Sequence, residues 1–455
     1  MLYQTINPFT EKLVKTFPEH TDAELEDIIA KAEAVYENDW RLRTLDERRA
    51  VVKKAAAILR KNRDEFATPI TLEMGKLFRE AQAEVDLSAD ILDYYADNAA
   101  AFLAPRKLHV AEGEAVVESE PMGVLFCVEP WNFPYYQLAR VAGPDLMSGN
   151  VLIIKHAPNV PQCALAFEKL FLDAGAPEGV YTNVFLSNEQ AAKAVADPRI
   201  KGVALTGSER AGSAVAAEAG QALKKTTMEL GGSDAFIVLD DADLDTAVKW
   251  GLWGRMNNTG QCCVAAKRFI LHEKIADAFL ERFRKELEAL VPGDPMDAKT
   301  TLGPVCTKGA LDLVLKQIQT AVDGGAKVLT GGKRLDRPGY FLEPTILTGI
   351  DPQNPAFHQE FFAPVALIFR VKSEKEAIDL ANDSPYGLGG SVITSDIERG
   401  KRVARQIETG MVFINQATWT APDLPFGGVK NSGYGRELSD LGISEFVNKK
   451  LIRVA

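Results

Sequence analysis

Residues 202–212 read GVALTGSERAG, an apolar run that leads into a Gly-Ser turn and an alanine-rich helical stretch. Free N–H groups and the positive end of the dipole at such a helix N-terminus suit a pyrophosphate. Gly207, Ser208 and Gly212 are therefore candidate dinucleotide-binding residues. The spacing is not Gly-x-Gly-x-x-Gly, so a tight strand-to-helix turn without a ligand fits this stretch equally well.

The same alternation of short apolar runs and helical patterns continues along the chain in both directions. Such runs predict buried parallel strands joined by crossover helices, as in a doubly wound nucleotide-binding sheet. They lie at 123–128, 151–154 and 182–185 and, further on, at 235–239, 268–271, 365–369, 390–393 and 411–414. We predict an α/β fold with two domains that meet near Gly231-Gly232.

The other segments predict a helical layer and a β-ribbon. Apolar residues at three- and four-residue spacing predict helices at 24–36, 45–60 and 80–95. Half-polar runs at 107–110 and 115–120 predict a hairpin. The predicted limits are 1–102 and 122–230 for a Rossmann-type dinucleotide-binding domain, 231–446 for an α/β catalytic domain, and 103–121 with 447–455 for a small β element.

Composition is that of an ordinary soluble globular protein. The chain has 455 residues, of which 46% are apolar and 25% charged, and a formal net charge of −11. That charge argues against non-specific binding to nucleic acid or to an anionic membrane, because both attract basic surfaces. No run reaches the roughly 18 apolar residues of a membrane span, and no export signal is recognised at the start. Five cysteines without metal-site spacing predict a reducing cytoplasm and no metal.

Two further stretches carry groups capable of covalent chemistry. GQCC at 260–263 falls in a predicted loop before a strand, and MELGG at 228–232 places Glu229 about 34 residues upstream of Cys263. A thiol is a strong nucleophile, and a carboxylate can activate water. The two act together only if the fold brings them into contact, and each stretch alone is more often structural.

PWNFP at 130–134 and Lys155 each follow a predicted strand. The two prolines of this stretch restrict the backbone around Asn132, whose side chain can donate a hydrogen bond in an oxyanion hole. An Asx turn that caps the next helix is the alternative for Asn132. Lys155 is placed to meet ribose hydroxyls or a phosphate, although a lysine after a strand is normally just solvated.

Taken in order, these motifs resemble those of the aldehyde dehydrogenase superfamily. The resemblance covers nearly the whole chain, from Asn7-Pro8 to the final strand. It rests on PWNFP at 130–134, TGS at 206–208 with Gly212, ELGG at 229–232, GQCC at 260–263, EFFAP at 360–364, and PFGG at 425–428 with SG at 432–433 and GRE at 435–437.

The resemblance implies that Cys263 attacks an aldehyde carbon and that Glu229 is the base that activates water to hydrolyse the resulting thioester. The Asn132 amide and the Cys263 backbone N–H would hold the oxyanion, where one donor is typically worth about 3 kcal/mol of barrier. The adjacency of Cys262 and Cys263 gives a separate hypothesis, in which Cys262 is a redox neighbour that captures an oxidised Cys263 and makes the inactivation reversible. Recovery of peroxide-treated enzyme by reductant in the wild type, but not in Cys262→Ala, would support that role. No metal is implied.

The resemblance also implies a nicotinamide dinucleotide. It places Lys155 at the adenosine ribose, Ser208 at the pyrophosphate, Glu360 at the nicotinamide ribose and Phe362 against the ring, and it adds Trp131, Pro158, Gly207, Gly212 and Leu230 to the cofactor-binding residues. Pro158 stands where a family glutamate binds the 2′-hydroxyl and repels a 2′-phosphate. Ala363 replaces a usual glycine, and His156 is placed to help bind a phosphate. NAD and NADP both stay open.

Within the superfamily the chain is similar to the succinate-semialdehyde dehydrogenases. The likeness rests on Arg140, nine residues after Trp131, on Thr420 and on VKNSG at 429–433. It implies that Arg140 and Thr420 bind the substrate and that Arg140 grips a distal carboxylate. Better-known members have a second arginine where this chain has Asn257, and here Arg255 lies two residues earlier.

Three alternatives stay open at this point. Arg140 can be a helix-surface arginine, the enzyme can be a broad-specificity dehydrogenase of neutral aldehydes, and the chain can be a catalytically silent binding protein on the same fold. The resemblance further implies a homodimer or homotetramer that assembles through 103–121 and the last strand.

Overall fold

Helices make up one part of the framework of residues 2–455, which the computed structural model describes. They are α1 (Asp22–Asn38), α2 (Leu45–Lys61), α3 (Arg63–Met74), α4 (Phe78–Phe102), α5 (Pro134–Ser148), α6 (Pro161–Ala174), α7 (Asn188–Ala196), α8 (Glu209–Gln221), α9 (Leu244–Met256), α10 (Glu273–Glu288), α11 (Lys308–Asp323), α12 (Glu374–Asn382), α13 (Ile397–Ala404) and α14 (Ser439–Gly442). Short 3-10 helices lie at Trp40–Leu42 and Asn257–Gly260. None of the helices in this part of the chain is long and apolar enough to cross a membrane.

The strands form two large sheets and three smaller ones. They are β1 (Tyr3–Asn7), β2 (Lys12–Phe17), β3 (Arg106–Leu108), β4 (Glu114–Pro121), β5 (Val124–Glu129), β6 (Val151–His156), β7 (Tyr181–Asn183), β8 (Ile200–Thr206), β9 (Lys225–Glu229), β10 (Asp234–Val238), β11 (Ala266–His272), β12 (Lys327–Thr330), β13 (Thr345–Thr348), β14 (Val365–Val371), β15 (Tyr386–Gly387), β16 (Gly390–Ile393), β17 (Phe413–Ile414), β18 (Val429–Lys430), β19 (Gly433–Tyr434) and β20 (Val447–Val454).

The first large sheet has the order β19-β9-β8-β5-β6-β7 and is parallel except for β19. The chain runs outward from β5 through β6 and β7, and then returns to β8 and β9 on the other side. The strand order therefore reverses between β5 and β8, and ligands of doubly wound sheets bind in the crevice at the carboxyl ends of such a pair. This sheet confirms the predicted nucleotide-binding topology. It also places PWNFP, after β5, beside TGS, after β8.

The second large sheet has the order β12-β13-β14-β11-β10-β16-β17, with only β12 antiparallel. Its central strands are almost continuously buried, which explains why they consist largely of consecutive apolar residues rather than of alternating apolar and polar ones. The predicted run at 411–414 shortens to β17, whose two residues pair with β16. This sheet confirms a second α/β unit, while the predicted domain limits stay a prediction.

The helical layer positions the loop that carries Asn132. The predicted helices correspond to α1, α2 and α4, whereas α3 and the β1–β2 hairpin were not predicted. Lys76 and Glu84 form a buried ion pair, and Glu84 accepts hydrogen bonds from the backbone N–H groups of Tyr135 (2.8 Å) and Tyr136 (3.2 Å). A carboxylate at this point satisfies two of the free N–H groups that begin α5. The start of α5 is thereby anchored directly after PWNFP.

The small sheet has the order β20-β4-β3, and β20 is antiparallel to β4 over eight residue pairs. It confirms the predicted hairpin. Within residues 2–455 the outer edge of β20 has no partner strand, and it carries the exposed apolar side chains Leu451, Ile452 and Val454. An unpaired edge of this kind is a template for another strand.

Candidate active site

The stretch that contains Glu229 and the stretch that contains Cys263 are in direct contact. After α9 the backbone of Asn258 and Thr259 turns through positive φ angles of 54° and 55°, and the chain then passes Cys262 and Cys263 before it enters β11. A Cβ added to Gly232 would lie 2.5 Å from the carbonyl oxygen of Cys263. Only glycine permits this approach, so the segment after Glu229 packs against the cysteine loop. The backbone that follows Glu229 and the backbone of Cys263 are therefore in contact.

The cysteine pair is partly exposed, and the two thiols share a hydrogen bond. That hydrogen bond lowers the pKa of Cys262 and, together with burial, raises the pKa of Cys263. The charges of Lys267 and Arg140 act in the opposite direction on Cys263 and lower its pKa. Ionisation of the predicted nucleophile therefore depends on its neighbours, as nucleophilic thiols generally require.

Asn132 lies against the same loop. Its side-chain nitrogen Nδ2 donates to the backbone carbonyl oxygen of Gln261 at 3.2 Å. Its backbone carbonyl oxygen accepts a hydrogen bond from Asn258 Nδ2 at 2.8 Å. The residue is buried, and these two bonds tie the loop after β5 to the cysteine loop. The Asn132 amide is thus held against the backbone of Gln261, two residues before Cys263.

Glu229 is the last residue of β9, and its carboxyl group is buried. Within residues 2–455 neither carboxylate oxygen has a hydrogen-bond partner. Burial raises the pKa of Glu229 well above its usual range, the nearby Glu437 raises it further, and the charge of Arg140 opposes both. A carboxyl group with a raised pKa and free oxygens is suited to accept a proton from water.

The side chains predicted to face the nicotinamide lie beside the cysteine loop. The rings of Trp131 and Phe362 meet edge to face with centroids 5.8 Å apart. Glu360 Oε1 accepts a hydrogen bond from the Gly232 N–H at 3.1 Å and pairs with Lys267 Nζ at 3.0 Å. Trp131 and Phe362 are therefore in contact with each other, and Glu360 is held beside the cysteine loop by Gly232 and Lys267.

The model of the aldehyde dehydrogenase family matches residues 1–452. The chain belongs to the aldehyde dehydrogenase family. A curated relative, succinate-semialdehyde dehydrogenase [NADP(+)] of Deinococcus radiodurans, is 50% identical over 451 residues, which cover 99% of this chain and 94% of the relative. Among solved structures, Gox0499 is 59% identical with a TM-score of 0.99 over 100% of both chains. Succinic semialdehyde dehydrogenase from Streptococcus pyogenes, in complex with NADP+, is 50% identical with a TM-score of 0.98 over 99% of both chains.

The residues that this aldehyde dehydrogenase is predicted to use for the rest of the dinucleotide lie further along the crevice. Ser208 is the exposed N-cap of α8, and its hydroxyl accepts from the Ala211 N–H at 3.3 Å, so the hydroxyl proton stays available for a phosphate. Gly207 joins β8 to this cap. A Cβ on Gly212 would lie 2.5 Å from Leu230, so these two predicted residues form a helix-packing contact.

Lys155 and Pro158 lie at and just after the end of β6. Lys155 is buried rather than solvated, and burial lowers its pKa. Its ammonium lies 5.8 Å from the centre of the Tyr3 ring. Pro158 is half-buried, and its carbonyl accepts a hydrogen bond from the Gln4 N–H at 3.0 Å.

The prediction that His156 helps to bind a phosphate is wrong. The side chain is 0% exposed, and its two ring nitrogens contact the carbonyl oxygens of Glu129 (3.1 Å) and Pro134 (3.0 Å). Burial lowers the pKa of His156 to about 4, so the imidazole is neutral at neutral pH. A neutral ring enclosed by backbone has no charge or free donor to offer a phosphate.

Arg140 is inside the protein, so its interpretation as a helix-surface arginine is wrong. It is 1% exposed and pairs with the buried Glu437. Its guanidinium also donates to Tyr136 Oη and Thr206 Oγ1, both at 3.2 Å, and lies 4.6 Å from the centre of the Phe426 ring. The Tyr136 hydroxyl in turn lies 2.9 Å from Thr420 Oγ1. The two residues predicted to bind substrate are therefore joined through Tyr136.

Loss of the Arg140 charge is expected to destabilise the fold. Arg140→Met should lower the free energy of unfolding by about 3–5 kcal/mol, because it leaves the carboxyl group of Glu437 buried and unpaired. The measurement is urea unfolding followed by fluorescence. Arg49→Met is the matched control, since Arg49 forms an exposed pair with Asp97 and should cost less than about 1 kcal/mol. Equal, small losses in both variants would contradict this account.

Three residues of the site were not assigned a role from the sequence: Tyr136, Lys267 and Glu437. Lys267 carried a usable signal, since a charged residue next to an apolar run has to find a buried partner. No such signal marks Tyr136. No group of three or more His, Cys, Asp or Glu side chains within residues 2–455 is arranged to hold a metal ion.

Proposed function

We propose that this aldehyde dehydrogenase oxidises succinate semialdehyde to succinate and prefers NADP to NAD. The observation that carries the proposal is the contact of the cysteine loop with the segment after Glu229, with the Asn132 amide on the same loop. The substrate is supported by relatives whose names state it, at 50% identity over nearly all of both chains. The names of those relatives also state NADP. Pro158 agrees with NADP, because it offers no carboxylate to repel a 2′-phosphate.

The residues of the crevice fit a nicotinamide dinucleotide. An exposed serine caps α8 at the reversal point of the first sheet, and a Cβ on Gly231 would lie 2.7 Å from Glu360 Oε2, so the Gly231 backbone packs directly against the Glu360 carboxylate. Ser208 would hold the pyrophosphate, Lys155 the adenosine ribose and Glu360 the nicotinamide ribose, with Trp131 and Phe362 beside the ring. When bound, the nicotinamide accepts the hydride that the aldehyde loses.

Cys263 and Asn132 carry out the first half of the reaction. The Cys263 thiolate forms the carbon–sulfur bond to the aldehyde carbon, and the carbonyl oxygen becomes an oxyanion held by the Asn132 amide and the Cys263 N–H. Collapse of this thiohemiacetal expels the hydride and leaves a thioester on Cys263.

Glu229 carries out the second half. Its carboxylate takes a proton from water, the oxygen attacks the thioester carbon, and the carbon–sulfur bond breaks to release the acid and restore Cys263.

The distal carboxylate of the substrate is proposed to bind near Arg140, Tyr136 and Thr420. Tyr136 joins the other two, and Thr420 is half-buried whereas Arg140 and Tyr136 are buried, so Thr420 is the most accessible member of the group. Since Glu437 already pairs with the guanidinium, hydroxyl donors polarised by Arg140 would contribute to this subsite as well as the charge itself.

The decisive experiment compares succinate semialdehyde with a neutral aldehyde of similar length, each with NADP and with NAD. Reduced nucleotide is followed by its ultraviolet absorbance. We expect kcat/KM to favour succinate semialdehyde and NADP, each by about tenfold or more, which corresponds to about 1.4 kcal/mol. A preference for the neutral aldehyde would favour a broad-specificity enzyme. No reduction with any pair would favour a silent binding protein.

We also propose that the enzyme is a homodimer or homotetramer in a reducing cytoplasm. The open edge of β20, with its exposed apolar side chains, supports pairing with a second copy. The adjacent free thiols of Cys262 and Cys263 suit a reducing compartment. Sedimentation equilibrium measures the mass, and a monomer would overturn the first point. Cell fractionation tests the second.

A further inference from the structure

Lys267 is a buried cation at the junction of the cysteine loop and the cofactor side of the site. It is the second residue of β11 and is 0% exposed. Its ammonium Nζ contacts the carbonyl oxygen of Cys262 at 2.8 Å, the carbonyl oxygen of Cys263 at 2.7 Å and Glu360 Oε1 at 3.0 Å. An ammonium has three N–H donors, and each one here has an acceptor.

The contact with the Cys262 carbonyl has a geometric consequence for Cys263. The carbonyl of Cys262 and the N–H of Cys263 belong to one peptide unit, which is planar and trans, so the two bonds point in opposite directions. An ammonium that holds the oxygen on one side fixes the direction of the N–H on the other side. It also draws electron density toward the oxygen, which makes the N–H a stronger donor.

From this geometry we propose that Lys267 is a positioning residue that aims and polarises the Cys263 N–H toward the oxyanion formed on the substrate. The inference rests on the proposed function, in which Cys263 attacks a carbonyl carbon. The same ammonium also pairs with Glu360, the residue proposed to bind the nicotinamide ribose. Lys267 therefore contacts both the peptide that carries the Cys263 N–H and the carboxylate that binds the cofactor. The Lys267 charge also lowers the pKa of both cysteine thiols.

The competing explanation is that Lys267 serves only to neutralise Glu360. Acylation of the enzyme by p-nitrophenyl acetate separates the two, because attack of a thiolate on this ester forms an oxyanion but needs no dinucleotide and no hydride transfer. The first-turnover burst of p-nitrophenol therefore reports the oxyanion site alone. The burst of reduced nucleotide with succinate semialdehyde and NADP reports the same site together with the cofactor.

The variants are Lys267→Met, which keeps the length and removes the charge, and Lys267→Arg, which keeps the charge. Lys274→Met is the matched control, because Lys274 is an exposed lysine just after the same strand. We expect Lys267→Met to slow both bursts about a hundredfold, the effect typical of one oxyanion donor, and Lys267→Arg to recover at least part of the loss. NADPH affinity, measured by fluorescence, confirms that the variants are folded. If Lys267→Met does not fold, Lys267→Gln carries the same expectation.

A slowed nucleotide burst with an unchanged ester burst would overturn the inference, since Lys267 would then act only through Glu360. Unchanged rates in both assays would overturn it as well. The proposed function is judged separately, on the wild type: if the wild-type enzyme is acylated by the ester but does not oxidise succinate semialdehyde, the proposed function fails, while the ester burst of the variants still decides the role of Lys267.

Discussion

Cys263→Ser is expected to lower kcat for aldehyde oxidation by roughly 10⁴- to 10⁶-fold, the range seen when a covalent nucleophile is removed. A serine hydroxyl is almost fully protonated at neutral pH, and it is a weak nucleophile unless a base takes up its proton. The bond to the aldehyde carbon then does not form, and no hydride is released. The measurement is reduced-nucleotide formation, with NADPH affinity expected to stay within about threefold of the wild type because the thiol is not among the cofactor-binding groups.

The matched control for this prediction is the adjacent residue. Cys262→Ser should keep most of the activity, because Cys262 is assigned no bond-forming role. The comparison is a stringent test of the assignment, because the hydrogen bond between the two thiols lowers the pKa of Cys262 and raises that of Cys263, which by itself favours Cys262 as the thiolate. If Cys262→Ser abolished oxidation while Cys263→Ser kept it, the nucleophile would be Cys262 and the assignment to Cys263 would fail.

Glu229→Gln is expected to separate the two halves of the reaction. Glutamine cannot accept a proton from water, so the thioester on Cys263 should accumulate and steady-state kcat should fall by about 10²- to 10⁴-fold, as general-base catalysis allows. The first hydride transfer does not need this proton acceptor. A single burst of about one reduced nucleotide per active site should therefore remain, and mass spectrometry should detect the acyl-enzyme.

Glu229→Gln has a matched control, and one outcome would contradict the role expected for Glu229. Glu218→Gln changes an exposed glutamate on α8 and should leave both burst and steady state unchanged. Loss of the burst itself in Glu229→Gln, with cofactor binding intact, would show that Glu229 acts before or during hydride transfer and would contradict its role as the hydrolytic base.

The same carboxyl group sets a pH dependence. Burial and Glu437 raise the pKa of Glu229, so at low pH the group is protonated and cannot take a proton from water. When hydrolysis limits turnover, kcat should therefore rise with pH through an acid limb that lies above the usual glutamate range, and Glu229→Gln should lack that limb.

The order of secondary structure was largely predictable from the sequence. Buried parallel strands are nearly uniform apolar runs, and β5, β6, β8, β10, β11, β14 and β16 all follow such runs closely. Among the elements that escaped prediction, two did so for related reasons. The strand β9 contains Lys225, Thr226 and Thr227, which interrupt the apolar pattern, and the helix α3 contains Pro69, a residue that usually argues against a helix.

The identity of the candidate chemical groups was also available from the sequence, because Cys263, Glu229 and Asn132 each stand in a short motif with restricted neighbours. The contact between their loops was not available, since the hydrogen bond from Asn132 to Gln261 joins residues 129 positions apart and depends on how two sheets are placed against each other. The approach of the Cys263 carbonyl to Gly232 is visible only in three dimensions.

What only the tertiary structure decided is where each charge is buried and which group neutralises it. Local sequence does not show that Arg140 pairs with Glu437, that His156 is enclosed by backbone, or that Lys267 joins two carbonyl groups to Glu360. The cost of a buried charge is set by its partners in space, and those partners come from distant strands and loops. The sequence by itself therefore determined the fold class and the candidate reacting groups, whereas the folded chain determined the surroundings, orientation and support of those groups.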